Sequence, residues 1–157
     1  MSNKHRHPSR PLPVGQTSQR GVGLIEVLVA VLVLAIGLLG IAGLQSRALM
    51  NNQSSFERSQ AVTLTYLMLD AMRANVEAAR TGQYNIARTC SVSSDGSLIT
   101  SDRRLWMQSL KQTLGDRDTT CGEISCQGER CTVRIYWDDT RGTGGSDNQM
   151  VETISVL

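Results

Sequence analysis

Hydrophobic and polar positions divide the chain into three stretches of different period. From Val27 to Ser46 no residue is charged, and twenty helical residues at about 1.5 Å each cross roughly 30 Å, the hydrocarbon thickness of a bilayer. That run predicts a membrane helix, since a buried helix of a soluble core is usually shorter and polar along part of one face. Beyond it, Leu49, Phe56, Leu64, Leu67, Met68, Ala71, Ala74 and Ala78 follow a helical period, with Arg58, Asp70, Arg73, Glu77 and Arg80 interleaved. The helix is therefore expected to continue, amphipathic, to Thr81-Gly82, where glycine supplies the left-handed stop. About sixty residues from Val22 would extend roughly 90 Å.

A polar linker is expected next, through Ser101, with Asp102 capping a short helix that presents Leu105, Trp106, Leu110 and Leu114 before Gly115. Trp106 reads as core rather than as a ligand platform. Cys131, Val133, Ile135 and Trp137 alternate with Thr132, Arg134 and Tyr136, the period of a strand with one buried face. Gly142 to Asn148, GTGGSDN, predicts a hairpin loop, and Met150 to Leu157 a final strand. The expected fold class is α+β: a long N-terminal helix, transmembrane then amphipathic, packed on a small antiparallel sheet.

Composition narrows this picture. With 157 residues and 40% hydrophobic content, the chain has material for one domain and one membrane segment. Its formal charge of +2 depends on Lys4, Arg6, Arg10 and Arg20, all before Val22. Subtracting those four from the sixteen basic residues leaves twelve against fourteen acidic ones, or −2. A mature chain with that balance is not an obvious polyanion binder, and Arg103-Arg104 is too short a basic run to argue for nucleic acid. The first 21 residues hold three prolines and no apolar run, unlike a secretory signal with its own hydrophobic region. Their positive charge predicts a cytoplasmic N-terminus and an exported head. His5 and His7 lie in this polar tail, which reads as a flexible targeting segment rather than a metal site.

One acid interrupts the apolar run. A carboxylate at the centre of a membrane helix costs about 2.5 to 3.5 kcal/mol on insertion scales, so a simple anchor has no use for Glu26. Cleavage after Gly21 would place a new amine on Val22, one helical turn from Glu26, where it could pair with the carboxylate of the same chain or of a neighbouring copy. Gly21, Leu24, Ile25 and Glu26, followed by VLVAVLVLAIGLLGIAGLQ, resemble the class III leader junction and N-terminal helix of type IV pilins. The wider run most resembles the minor pilins called PilV, or type IV pilus modification proteins. Val22 stands where that family usually has Phe, and Gly23 where it has Thr or Ser, departures that bear on N-methylation of the new terminus. The segment ERSQAVTLTYLMLDAMRANVEAARTGQYN also resembles these proteins, notably at Asp70, Met72, Arg73, Ala74, Asn75 and Tyr84, as does CTVRIYWDD.

The resemblance implies a leader over residues 1–21, a transmembrane half-helix over 22–46, an amphipathic half over 47–81 and a head over 82–157. It implies a minor pilin that primes or caps a type IV pilus used for motility, adhesion or DNA uptake. Its partners would be other minor and major pilins, prepilin peptidase and the inner-membrane assembly platform, with the head periplasmic and later carried into the pilus. A minor pseudopilin of type II secretion shares the junction and the helix, and a tip module binding DNA or a surface is a rival of another class. Glycines 37, 40 and 43 would give another helix a close approach.

Cys90, Cys121, Cys126 and Cys131 all fall in the exported part, where disulfides are the default. Their spacing matches no zinc arrangement well, and no histidine follows residue 21 to complete a site. Cys126 and Cys131 flank QGER and could face each other across a hairpin, leaving Cys90 for Cys121, although four cysteines allow three connectivities. No catalytic motif appears: there is no G-x-S-x-G elbow, no phosphate-cradling loop, and no carboxylate pair except Asp138-Asp139. Adjacent carboxylates on a strand point to opposite faces, so that pair reads as a solvated strand end. Neither an enzyme nor a cofactor is expected.

Overall fold

The computed structural model describes residues 21–91, 96–142 and 144–157; His5, His7 and the leader positives lie outside them. The elements are α1 (Leu24–Ala74), α2 (Val76–Arg80), β1 (Ile86–Thr89), α3 (Leu98–Leu114), β2 (Cys121–Gln127), β3 (Arg130–Trp137) and β4 (Gln149–Val156). The chain divides into two compact units between Gly40 and Ile41. Within the first, residues 24–40 are helical and every described residue is exposed. The second holds the core. The architecture is α+β and pilin-like, with a long apolar N-terminal helix and a four-stranded antiparallel sheet.

In the second unit α1 buries Glu57, Ala61, Leu64, Thr65, Met68, Leu69 and Met72, positions three and four apart that form one stripe. Leu49, Phe56 and Leu67 are instead exposed, Phe56 and Leu67 at 62% and 52%. Two apolar stripes run along this helix, and hydropathy alone does not say which meets the sheet. The helix also breaks earlier than Thr81. Asn75, at φ −132° and ψ 56°, separates α1 from α2. The stop itself is a Schellman motif at the expected glycine: Gly82 (φ 77°) donates to Ala79 O at 2.9 Å and Gln83 to Ala78 O at 2.9 Å.

Two expectations about the next region are corrected. The stretch expected to be a linker contains β1, and α3 starts at Leu98, capped by Ser97, whose hydroxyl accepts from the Thr100 N–H at 3.2 Å. Asp102 lies inside the helix and accepts the Tyr84 hydroxyl at 2.6 Å. Tyr84 is fully buried; burial first, and the Asp102 carboxylate next, push its hydroxyl up to about 12. Helix α3 turns Trp106, Met107, Leu110 and Leu114 inward and leaves Leu105 outside. Trp106 Nε1 donates to the Leu64 carbonyl at 2.9 Å, an indole–backbone bond that ties α3 to α1 inside the core.

The sheet has order β1-β2-β3-β4, every pair antiparallel. As its alternation predicts, β3 buries Cys131, Val133, Ile135 and Trp137 completely. Gly128-Glu129 joins β2 to β3 in a two-residue loop, with Gly128 at φ 59° and Glu129 outside the positive-φ region. Glycine first in the loop is the type II′ signature, whose twist suits a hairpin. Beyond β3, the loop to β4 docks on α1. Arg141 donates to the buried Glu57 carboxylate at 2.8 Å, Gln53 does so at 3.2 Å, and Ser54 donates to Asp139.

Gly122 on β2 lies directly beneath Trp106, and a Cβ there would overlap the indole ring. Gly122→Ala should lower the stability of the full chain in detergent by about 1 to 3 kcal/mol through overpacking. Urea unfolding followed by tryptophan fluorescence measures it, and an unchanged midpoint would show that Trp106 does not hold this position.

Candidate processing and assembly site

Gly21, Val22 and Gly23 precede the first helical residue, and Gly23 O accepts from the N–H groups of Glu26 at 2.9 Å and Val27 at 3.3 Å. The putting together of Val22 and Glu26 follows from four-residue spacing at a helix start. Both line one shallow depression with Val27, Ala30, Val31 and Leu34. Glu26 lies in the first turn of α1, where a carboxylate also meets the positive end of the helix dipole. Gly21 is exposed. A Cβ at Gly37, Gly40 or Gly43 would meet nothing within 4 Å.

The cysteines form two bonds, Cys90–Cys121 and Cys126–Cys131, and no described cysteine is free. The hairpin explains the second. Its two-residue loop is closed by Gln127 and Arg130, so Cys126 and Cys131, the next pair, face each other where strands exchange no hydrogen bonds and side chains come closest. Their Cα atoms are 4.0 Å apart. The main-chain groups that Cys126 turns away from β3 meet the Asn85 amide, which donates to its carbonyl at 3.2 Å and accepts from its N–H at 2.6 Å. Cys90–Cys121 joins the residue after β1 to the start of β2.

Asp138 and Asp139 are not a solvated strand end. Asp138 accepts from the Thr140 N–H at 2.9 Å and its hydroxyl at 2.7 Å and pairs with Arg117. The Thr140 donors, then the Arg117 charge, hold its carboxyl below the usual carboxylate range. Asp139 is buried and bound by Ser54. The two face different partners and converge on no common point. Ser54–Asp139 and Glu57–Arg141 join positions 85 and 84 residues apart, and no local pattern announces them. Among the described residues no group of three or more His, Cys, Asp or Glu side chains could hold a metal ion. On the outer face of the sheet, Arg134 pairs with Glu123 at 2.6 Å and with Glu152 at 2.5 Å, and the Tyr136 hydroxyl donates to Glu123 at 2.8 Å. Arg134 thus serves both Glu123 and Glu152, and on the same face the Arg88 guanidinium stacks over the Tyr136 ring at 4.1 Å.

Residues 16–42 match the family described as the prokaryotic N-terminal methylation motif. No curated protein and no solved structure matches the chain. The motif, heading a helix apolar and long enough to cross a membrane and followed by an α+β head, supports a type IV pilin-like protein, pilin or pseudopilin. It points to a structural role, to processing by prepilin peptidase and to anchoring in the membrane where pilin machinery assembles.

The two disulfides close unequal loops, with separations of 31 and 5 residues. On chain-entropy grounds, removing Cys90–Cys121 by a double serine change should cost about 1.5 kcal/mol more than removing Cys126–Cys131. Urea midpoints of the two variants test this, after alkylation without reductant has labelled none of the four thiols in the parent chain. Equal losses would show that loop length does not govern these bonds.

Proposed function

We propose that this chain is a minor pilin of the PilV type, cleaved after Gly21, which primes or caps a type IV pilus through its N-terminal helix. The observation that carries the proposal is the junction itself: Val22 and Glu26 border one depression at the start of an exposed apolar helix. In that position the carboxylate serves assembly. The amine released on Val22 is the natural counter-ion for Glu26 of the same or a neighbouring subunit, and the pair is strongest where lipid and packed helices exclude water. Partners are other minor and major pilins and the inner-membrane platform, and the head faces the periplasm before joining the pilus.

Two outcomes follow. In cells containing prepilin peptidase the product should begin at Val22 and lack all four leader positives, which intact-mass measurement reads directly; a product retaining residues 1–21, or cut beyond Leu44, would rule the proposal out. Glu26→Val should insert, be cleaved and accumulate in the membrane, because an apolar side chain relieves a desolvation cost. It should nevertheless fail to enter sheared pili, since the partner amine is left unpaired in low dielectric at a cost of about 3 to 5 kcal/mol. Mutant protein in the pilus fraction at the parent level would show that assembly does not use Glu26.

A further inference from the structure

The two edges of the sheet differ. On one side β1 has only four residues and is flanked by the Asn85 amide and the Cys90–Cys121 bond. On the other, β4 pairs with β3 along all eight of its residues without a register shift. Its hydrogen-bond phase follows from one bond. Leu157 N–H donates to Glu129 O at 2.8 Å, continuing the register in which Val156 faces Arg130. The odd-numbered residues of β4 therefore bond to β3, and Met150, Glu152, Ile154 and Val156 turn their N–H and C=O groups to the free edge. The same four residues place their side chains on the outer face, where Met150, Ile154 and Val156 are 40%, 47% and 69% exposed. Edge strands are ordinarily guarded by lysine, proline, bulges or brevity. This one has none of these, and its single charge, Glu152, is held sideways by Arg134 at 2.5 Å.

We propose that the β4 edge is an assembly surface that accepts an edge strand from the head of a different pilin-like subunit, running antiparallel to β4. The inference rests on the pilin reading and names the partner surface within it. Main-chain donors and acceptors alternating along an extended edge are complementary to an extended backbone. Strand direction selects the partner. Thr65 meets Thr153 at 2.7 Å and Arg73 meets Ser155 at 2.9 Å, so residues 65–73 of α1 run in the sense of β4. Three antiparallel steps make β1 run against it. Pairing β4 with β4 of a second copy about a two-fold axis would reverse one α1 against the other, although each leads along the chain into a membrane segment. Pairing β4 with the first-strand edge of a neighbouring head keeps the helices in one sense and gives the antiparallel ladder, which is the stronger. A second copy's β1 is too short, because the outward groups of β4 span seven residues and β1 has four. Charge completes the specification: the partner strand carries a basic residue opposite Glu152, whose side chain is 36% exposed.

The test uses the full chain in cells with their own pilin machinery, with photoreactive benzoylphenylalanine in place of Met150. Illumination should yield an adduct with another prepilin-type chain, mapped by mass spectrometry to an edge strand. Ile154→Pro removes a donor that faces the free edge and spares every bond to β3, so it should lower adduct yield about tenfold while leaving both disulfides intact. Glu152→Lys, which leaves all main-chain bonds in place, should lower it too. An adduct insensitive to both changes, an adduct formed only with a second copy, or no adduct from a cleaved chain that copurifies with pilin-like proteins overturns the edge and leaves the pilin reading standing. A chain that is never cleaved after Gly21 overturns both.

Discussion

The head depends on one stripe of α1, from Glu57 to Met72, to which α3, β4 and the β3–β4 loop are each tied by hydrogen bonds. Met68, Leu69 and Met72 are excluded from solvent, and burying side chains of that size contributes about 1.5 to 3 kcal/mol each. Trp106 adds direction to this non-directional force. Its indole N–H reaches the Leu64 carbonyl, and its ring occupies the space left by Gly122, so one side chain sets α3 against both the helix and the sheet.

Polar contacts refine this packing at both ends of the stripe. Glu57 is nearly buried and would be costly alone, but Arg141 and Gln53 both reach its Oε1. With Ser54 on Asp139, these contacts pin the glycine-rich β3–β4 loop to α1. At the opposite end Arg73 donates to Ser155 and, further along, Thr81 closes α2 by donating to Glu77 O at 2.8 Å. The strand β4 is thus held firmly on its inner side while its outer face and free edge stay open. That asymmetry is built by register: one residue of slip would exchange Met150, Glu152, Ile154 and Val156 for the inward set.

Membrane and head place different demands on one continuous helix. Residues 24–40 are apolar on all sides and exposed, the condition of a segment whose solvent is lipid or other helices. Glu26 is the exception, an acid in the first turn that lines one depression with Val22.

Several of these features were legible in the residues alone, for a physical reason common to them all. The membrane run, the Gly82 stop, the alternation of β3 and the junction at Gly21 to Glu26 are local, and each is written in consecutive or regularly spaced side chains. Ser97 as a cap was equally local, but Asp102 offered a competing cap beside the Leu105–Leu114 apolar set; in the fold Asp102 instead accepts the distant Tyr84 hydroxyl. Tertiary structure alone chose which of two apolar stripes on α1 faces the sheet, burying Leu64 and Met68 and leaving Phe56 and Leu67 outside. It alone brought Asp139 to Ser54 and Arg141 to Glu57, and selected one of three cysteine pairings through the register of a hairpin. Contacts between residues more than eighty positions apart have no local period, so the sequence determines the elements and their faces while the packed core determines which faces meet.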